Sequence, residues 1–456
     1  MADAKLLIDK VKGYTNLFVL ASGELPDNTT AMTEIGDYAI NSGLNYAVYF
    51  GIDEASEPQS VQWLDIAHKR WGNQFVGVYY NDEPGGKFLE GYLDISRSGT
   101  SIVKLGTGGI VVQLNNTNTI YYANNTIKST TDLDDKSKNG TLQISQLNGL
   151  VEEIPNVPWP EEWVTTYPNG TVAAFIPPSP ISTVVTYYPN GAITVWESQS
   201  NIVYTSQNGS ERISQVEPLS AVIERNPINN YNAAAQAFVN NTTKYLQLLD
   251  NQTTNIFTAD FALYWWEYQS GYDTVLAELG WNNTATQEIG LVRGAANLHG
   301  KNWGTIITWK YNQPPYLGSG EEMYDQLRLS YECGANYALV FNYAEDVNGP
   351  YGTLQDEHFQ AIERFWNTVV QNISIRHGGI KAEAVLVLPR NYGWGMRNPQ
   401  DTIWGMWDAN ATSQQIWTQI HSRLTQHGSQ LDIVFEDKTY SVSEKYNHIY
   451  YWNQTS

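Results

Sequence analysis

The chain has 456 residues, of which 42% are hydrophobic, and its formal net charge is −21 at pH 7. A chain of this length and composition can bury a sizeable core, which excludes bulk disorder. The acidic balance argues against nucleic-acid and anionic-membrane partners, because phosphate binding needs clustered Lys and Arg. No apolar stretch of the sequence reaches the length of a transmembrane helix.

Two features suggest an extracellular protein, although the N-terminus, Met1-Ala-Asp-Ala-Lys5, lacks the apolar segment of a signal peptide. Thirteen Asn-x-Ser/Thr glycosylation acceptors lie between Asn28 and Asn453, and only 16% of the residues are charged. We therefore expect a mature, secreted or cell-surface glycoprotein whose export signal has been removed. The single cysteine, Cys333, excludes an internal disulfide and is expected to be a buried, inert thiol.

Residues 1–90 alternate strand and helix patterns. Apolar runs at 16–20, 46–50 and 75–80 predict strands, and helices are predicted over about 30–42 and 61–71. Apolar strands separated by amphipathic helices favour parallel pairing with helices on the faces of the sheet. We interpret this segment as the first part of a barrel.

Residues 91–220 show no helical period and are rich in Thr, Val, Tyr and Gly. Two similar segments, 164–175 and 185–196, each carry Asn-Gly between strand-like runs. Asn-Gly is the strongest short-range hairpin signal, because both residues accept the positive φ of a type I′ turn. The sequence predicts an inserted antiparallel β module with repeated hairpins.

The strand–helix alternation returns over 221–378, which we interpret as the second part of the barrel. Strands are expected at 256–264, 273–280, 304–309 and 336–341, and the helix after the third of these opens with the capping box Ser319-Gly-Glu-Glu322. Residues 379–456 form a smaller C-terminal α/β region. The run 384–388 either closes the barrel as its eighth strand or begins a separate sheet. The predicted fold is therefore α/β: a (β/α)8, TIM-like barrel interrupted by the β insertion.

The working residues of such a barrel lie at the C-terminal ends of its strands. Asp82 and Glu83 follow the third strand directly, Asp260 lies in the fourth, and Glu278 lies near the end of the fifth. Glu278 sits in an apolar strand, so its carboxyl either forms an ion pair, with Arg293 or Lys310, or has the raised pKa of a general acid. The alternative interpretation of Asp82 and Glu83 is non-functional: an exposed acidic turn before a proline.

Aromatic and polar side chains accompany these carboxylates at the strand ends. Indole and phenol rings stack on the apolar faces of sugars, although most large aromatic residues are core residues. The candidate substrate-binding residues are Trp265, Trp266, Trp281, Trp309, Lys310, Tyr311, Asn342 and Tyr343. No His or Cys spacing indicates a metal, and no phosphate-binding loop is present, so we expect neither a metal nor another cofactor.

The chain resembles secreted (β/α)-barrel glycoside hydrolases and their relatives among archaeal surface proteins. The resemblance rests on the segments 76–86, 293–309 and 320–341 and covers the barrel portion only. It implies carboxylate catalysis at the strand ends and an accessory β module. Neither an Asn-Glu pair closing the fourth strand nor an Asp-x-x-Asp-x-Asp-x-Glu series is present, so the resemblance is to the class rather than to one family.

These observations lead to alternative functions. The first is an extracellular glycoside hydrolase acting on a polysaccharide or glycan, with Glu278 as proton donor and Asp82 or Glu83 as the partner carboxylate. The second is a non-catalytic surface protein that binds glycan or builds a lattice. Polysaccharide lyase chemistry is a weaker third. The sequence leaves the oligomeric state open.

Overall fold

The computed structural model describes residues 1–21, 28–51, 58–89, 230–249, 255–281, 283–343 and 351–454, together with ten strands between residues 100 and 218. The chain divides into two compact units. Unit 1 comprises Met1–Gly86, Phe238–Asp401 and Ala409–Ser456, and unit 2 comprises Lys87–Ala237 and Thr402–Asp408.

Unit 1 is built on a curled sheet of seven parallel strands, in the order β1-β2-β3-β14-β15-β16-β17. These strands are β1 (Leu17–Leu20), β2 (Asn45–Phe50), β3 (Phe75–Tyr80), β14 (Ile256–Asp260), β15 (Thr274–Leu279), β16 (Asn302–Ile307) and β17 (Tyr337–Val340). Strand β3 pairs with β14 and so joins the two parts of the sheet, although the residues of unit 2 lie between these strands in the sequence. The prediction of an α/β fold with a parallel sheet is confirmed.

Helices lie between the strands of this sheet. Their bounds are α1 (Ala2–Val11), α2 (Thr29–Asn41), α3 (Pro58–Trp71), α4 (Pro84–Leu89), α5 (Tyr231–Leu246), α6 (Tyr264–Ser270), α7 (Ala285–His299), α8 (Gly320–Cys333) and α9 (Asp356–Phe365), which continues into a π-helical turn, Trp366–Val370. The Ser319 side chain accepts the Glu322 N–H at the start of α8, as the capping motif predicts. Cys333, at its end, is buried.

The curl of the sheet is visible in the packing on its two faces. One cluster holds Tyr79, Phe257, Ala259, Leu276 and Ile306, and residues of both edge strands, β1 and β17, pack against it. A second cluster joins outward side chains of β15 and β16 to α8, α9 and α1. A sheet whose two edge strands share one interior cluster is a half-barrel, so the strand ends converge.

Of the two alternatives for the run 384–388, the structure shows the separate sheet and not an eighth barrel strand. Ala384–Leu388 (β18) pairs instead with β19 (Leu431–Phe435) and β20 (His448–Tyr451) in a separate three-stranded parallel sheet. Helix α10 (Ala411–His427) belongs to this region. Helix α7 packs closely on β19. A Cβ at Gly290 of α7 would lie only 2.8 Å from the Leu431 carbonyl oxygen, so a glycine is needed at this contact. The buried Arg293–Asp432 ion pair (2.7 Å) lies in the same contact.

Unit 2 contains ten described strands, all paired antiparallel in three sheets. They are β4 (Thr100–Lys104), β5 (Ile110–Leu114), β6 (Thr117–Tyr121), β7 (Thr141–Ser145), β8 (Val151–Pro155), β9 (Trp163–Thr166), β10 (Val172–Ile176), β11 (Thr183–Tyr187), β12 (Ala192–Glu197) and β13 (Val216–Pro218). Two of the predicted Asn-Gly turns fall between paired strands, β9–β10 and β11–β12. The turn residues themselves lie outside the described residues.

Within the described residues, no helix combines the length and the apolar character needed to cross a membrane.

Candidate active site

The ends of three adjacent strands, β3, β14 and β15, hold backbone in an unusual conformation. Glu83, Leu263 and Trp281, which follow these strands, have φ of 50°, 58° and 47°. Non-glycine residues rarely adopt positive φ, and such strain persists only where the surrounding structure fixes it, often at functional sites.

The loop after β3 is held against β14 by a series of hydrogen bonds. The Thr258 hydroxyl donates to the Asn81 carbonyl (2.9 Å), and the Glu83 N–H donates to the Ala259 carbonyl (2.9 Å). The acidic pair after β3 is therefore part of a fixed loop and not of a loose turn.

Asp260 completes this anchoring. Its Oδ2 accepts from the N–H of Gly85 (2.5 Å), and its Oδ1 accepts from those of Gly86 (2.8 Å) and Phe261 (2.7 Å) and, less closely, Ala262 (3.2 Å). A Cβ on Gly86 would lie 2.2 Å from the Phe261 ring, so the Gly-Gly of the loop is needed for this approach. The structure places Asp260, one of the predicted catalytic residues, where its carboxylate anchors the backbone of this loop.

Glu278 lies close to Glu83 and near Asp260. Glu278 shares the inner face of β15 with Leu276, is 4% exposed, and lies within hydrogen-bonding range of the half-buried Glu83. Burial raises the pKa of the Glu278 carboxyl well above its ordinary value, and the nearby Glu83 and Asp82 raise it further. Two carboxyls in contact need a shared proton, since an ionised carboxylate only accepts. The more buried Glu278 is the group that holds it.

Asp82 lies beside this pair and has a different partner. The Tyr79 hydroxyl, on the inner face of β3, donates to Asp82 Oδ1. Burial raises the pKa of Tyr79 well above its ordinary value, and Asp82 raises it further, so Tyr79 stays a neutral donor. The residues Asp82, Glu83 and Glu278, predicted from separate strands, are thus brought together.

A second pair of carboxyls lies close to the first. Glu267 is 0% exposed on α6, and its side chain lies within hydrogen-bonding range of Asp260. We call Glu83 and Glu278 the outer pair and Asp260 and Glu267 the inner pair. Burial raises the pKa of Asp260 to about 6 and that of Glu267 well above its ordinary value.

Sequence reasoning missed Glu267 as a site residue. The sequence predicted a strand over 256–264, whereas β14 ends at Asp260 and Tyr264-Trp-Trp-Glu267 opens helix α6. The available signal was a lone Glu after three aromatic residues, which suggests burial but not a partner. Glu288 on α7 is a further buried carboxyl. Burial raises its pKa to about 8, and the Tyr264 hydroxyl donates to it (2.7 Å).

Arg293 and Lys310, the two predicted ion-pair partners of Glu278, form ion pairs with other carboxylates. Arg293 binds Asp432, and Lys310 binds Glu322 (2.6 Å). The structure therefore favours the raised pKa over the ion pair as the account of this buried glutamate.

Aromatic side chains predicted as sugar contacts divide into two groups. Trp281 and Tyr311 are 44% and 43% exposed after β15 and β16. Trp309 is half-buried, its ring 5.5 Å from that of Tyr343 after β17. The Trp281 N–H donates to the Trp309 carbonyl (2.7 Å), which ties these strand ends together.

Trp265 and Trp266 form the other group, because they are buried, at 3% and 0% exposure. Their rings pack on Phe435 of β19, at 6.1 and 4.4 Å. The C-terminal sheet therefore covers the faces that an open groove would need. Asn342 is also engaged within the protein, since its Oδ1 accepts from the Thr353 N–H (3.0 Å).

Two small crevices of unit 1 do not have the carboxyls of either pair in their linings. One is lined by side chains of α6, α7 and β19, and the other by residues between β16 and α8. Among the described residues, no group of three or more His, Cys, Asp or Glu side chains is arranged to hold a metal ion. The strand ends carry carboxyl groups and aromatic rings.

The fold and these pairs define the class of the molecule: an α/β half-barrel protein with clustered carboxyls at its strand ends. No protein-family model matches the chain, and no curated protein matches it significantly.

Proposed function

We propose that the chain is an extracellular glycoside hydrolase in which Glu278 is the general acid and Glu83 the partner carboxylate. Glycosidic cleavage needs one carboxylic acid to protonate the leaving oxygen and a second carboxylate at the anomeric carbon. The observation that carries the proposal is the contact between buried Glu278 and half-buried Glu83.

The environment of Glu278 suits the role of acid. Its pKa is raised by burial and then by Glu83 and Asp82, which favours the protonated carboxyl that a general acid needs. Of the two partner candidates, Glu83 is favoured over Asp82, because Glu83 contacts Glu278 while Asp82 accepts the Tyr79 hydroxyl.

The closeness of the outer pair also bears on stereochemistry. Inverting enzymes separate their carboxyls by roughly 6.5–9.5 Å to admit a water, whereas retaining enzymes hold them about 5 Å apart. Glu83 and Glu278 lie within hydrogen-bonding range of each other, which is nearer to the retaining separation and too short for that water. The proposed reaction therefore retains configuration: Glu83 attacks the anomeric carbon as the Glu278 proton passes to the leaving oxygen. Water then releases the sugar, with Glu278 as base.

The aromatic side chains give the proposal a place for sugar. Trp281 and Tyr311 are exposed beside half-buried Trp309 and Tyr343 at the ends of β15, β16 and β17. Rings with an apolar face and a polar edge suit a polysaccharide chain. Glycosylation acceptors Asn240, Asn372 and Asn453 are exposed, which agrees with an extracellular location.

The test is release of reducing ends from a panel of polysaccharides and glycans. We expect the wild type to cleave one of them, and Glu278→Gln and Glu83→Gln to lower the rate about 10²–10⁴-fold. Glu288→Gln is the matched control, because it also neutralises a buried glutamate of raised pKa but lies outside the outer pair.

Glycan binding without cleavage would overturn the proposal in favour of a surface binding protein. Products with an ultraviolet-absorbing double bond would indicate a lyase instead. Proton NMR of the first anomer released checks retention.

A further inference from the structure

The loop that carries Glu83 depends on Asp260. The N–H groups of Gly85 and Gly86, two and three residues after Glu83, donate to the Asp260 carboxylate at 2.5 and 2.8 Å. The loop follows β3, and these bonds are long-range, joining residues about 175 positions apart. A shift of Asp260 would therefore move Glu83 relative to Glu278.

Asp260 is in turn set by Glu267. Both Glu267 oxygens are buried, and in the described part of the chain no donor reaches them with the geometry of a hydrogen bond. The nearby Gly85 N–H lowers the Glu267 pKa, but burial and Asp260 raise it more. The neighbour of the Glu267 oxygens is the Asp260 carboxyl, which accepts backbone N–H groups on both of its oxygens. Two acceptors in contact, away from water, require a proton between them. Because Asp260 already accepts from four N–H groups, the proton belongs to Glu267.

We propose that Glu267 is a positioning residue: its carboxylic acid donates to Asp260, and Asp260 holds the Gly85–Gly86 backbone so that Glu83 stays in contact with Glu278. This inference rests on the proposed function in one respect: the proposed function is what makes Glu83 a catalytic residue. The chain of contacts itself is independent of any substrate.

In the described part of the chain, the ionisable side chains close to the inner pair are carboxyls and phenols. The titratable groups near Glu267 are Asp260 on β14, Glu278 on β15, and Tyr264, Tyr268 and Tyr272 on and after α6. Beyond Asp260 lie Glu288 on α7 and, acting on Glu288, Arg397. Loss of the Glu267 proton would place two buried anions side by side, so it should release Asp260 and the loop.

The experiment follows hydrogen exchange at the Gly85 and Gly86 amides as pH is raised. Glu267→Gln keeps an N–H donor toward Asp260 and cannot ionise, whereas Glu267→Leu removes the donor. In the wild type, exchange should accelerate with pH by more than the intrinsic tenfold per unit. In Glu267→Gln, the excess should disappear. In Glu267→Leu, exchange should be fast at every pH.

Denaturant unfolding is a second readout. It compares the wild type with Glu267→Gln and so does not require that Glu267→Leu folds. A group that keeps its proton only when folded makes the unfolding equilibrium constant rise tenfold per pH unit. Glu267→Gln should therefore remove a factor of ten per unit from the wild-type dependence above about pH 4.5. Glu288→Gln should do the same for unfolding but leave Gly85 and Gly86 exchange as in the wild type.

Identical Gly85 and Gly86 exchange in the wild type and Glu267→Gln at all pH values would overturn the inference. So would an unchanged pH dependence of unfolding in Glu267→Gln. Neither readout uses a sugar, so failure of the hydrolysis panel leaves this result standing, and the reverse also holds.

Discussion

The outer pair, Glu83 and Glu278, and the inner pair, Asp260 and Glu267, lie at neighbouring strand ends and contain the same functional groups. They differ in solvent access and in hydrogen-bond donors. The Asp260 carboxylate has four backbone N–H partners and no exposure, whereas Glu83 is half-buried and contacts a protonated acid. A carboxyl pair saturated by backbone serves structure, while a pair with one side toward solvent can exchange its proton with a ligand.

The largest expected effect separates acid from nucleophile within the outer pair. On a polysaccharide, Glu278→Gln should lower kcat about 10²–10⁴-fold. An aryl glycoside with a good leaving group needs little protonation, so on that substrate the deficit of Glu278→Gln should shrink and that of Glu83→Gln should not. Measured kcat values on both substrates check this. Equal deficits on both would contradict the assignment.

Removing the anchor of the inner pair should chiefly affect stability. Asp260→Ala leaves buried N–H groups of the loop and of residues 261–262 without an acceptor, at about 3–5 kcal/mol of unfolding free energy. Urea unfolding measures the loss. The control Glu34→Ala breaks a partly exposed ion pair with Lys5 and should cost about 1 kcal/mol or less. Equal losses in the two variants would show that Asp260 is not an anchor.

The pH dependence of stability should reflect the buried carboxyls. Glu288 and Asp260 have pKa values raised to about 8 and about 6, so the folded state binds protons that the unfolded state has released. Stability from Glu288 is full below about pH 4.5 and falls by about 1.4 kcal/mol per unit until about pH 8. Denaturant unfolding between pH 5 and 8 measures the slope. A rise in stability over this range would be opposite to the expected sign.

The smallest expected effect concerns the group that holds Asp82. Tyr79→Phe removes the hydroxyl that donates to Asp82 but leaves the ring in the inner cluster. We expect a loss of about 0.5–1.5 kcal/mol in unfolding free energy and less than a tenfold fall in kcat. A fall as large as that of Glu83→Gln would make Asp82 the partner carboxylate.

Local pattern predicted the strands and the carboxyls that end them. Phe75–Tyr80 is the predicted strand, and Asp82, Glu83 and Glu278 meet because parallel strands bring their C-terminal ends to one side. Glu278 stood out because an acidic residue inside an apolar strand needs a special environment.

Long-range packing decided what the sequence could not predict. The burial of Trp265 and Trp266 depends on Phe435, about 170 positions away, and the pairing of β18 with β19 and β20 is equally non-local. The anchoring role of Asp260 comes from backbone N–H groups of another loop, which no side-chain pattern reveals.

The protonation state of Glu278 tests the central claim most directly. Carbon-13 NMR of carboxyl-labelled glutamate, compared between the wild type and Glu278→Gln, follows that single group through pH 4 to 9. We expect a resonance whose midpoint lies well above that of an ordinary glutamate and which disappears in the variant, with a lower midpoint in Glu83→Gln because the neighbouring charge is gone. A Glu278 resonance that titrates near 4.5 and ignores Glu83→Gln would contradict the account.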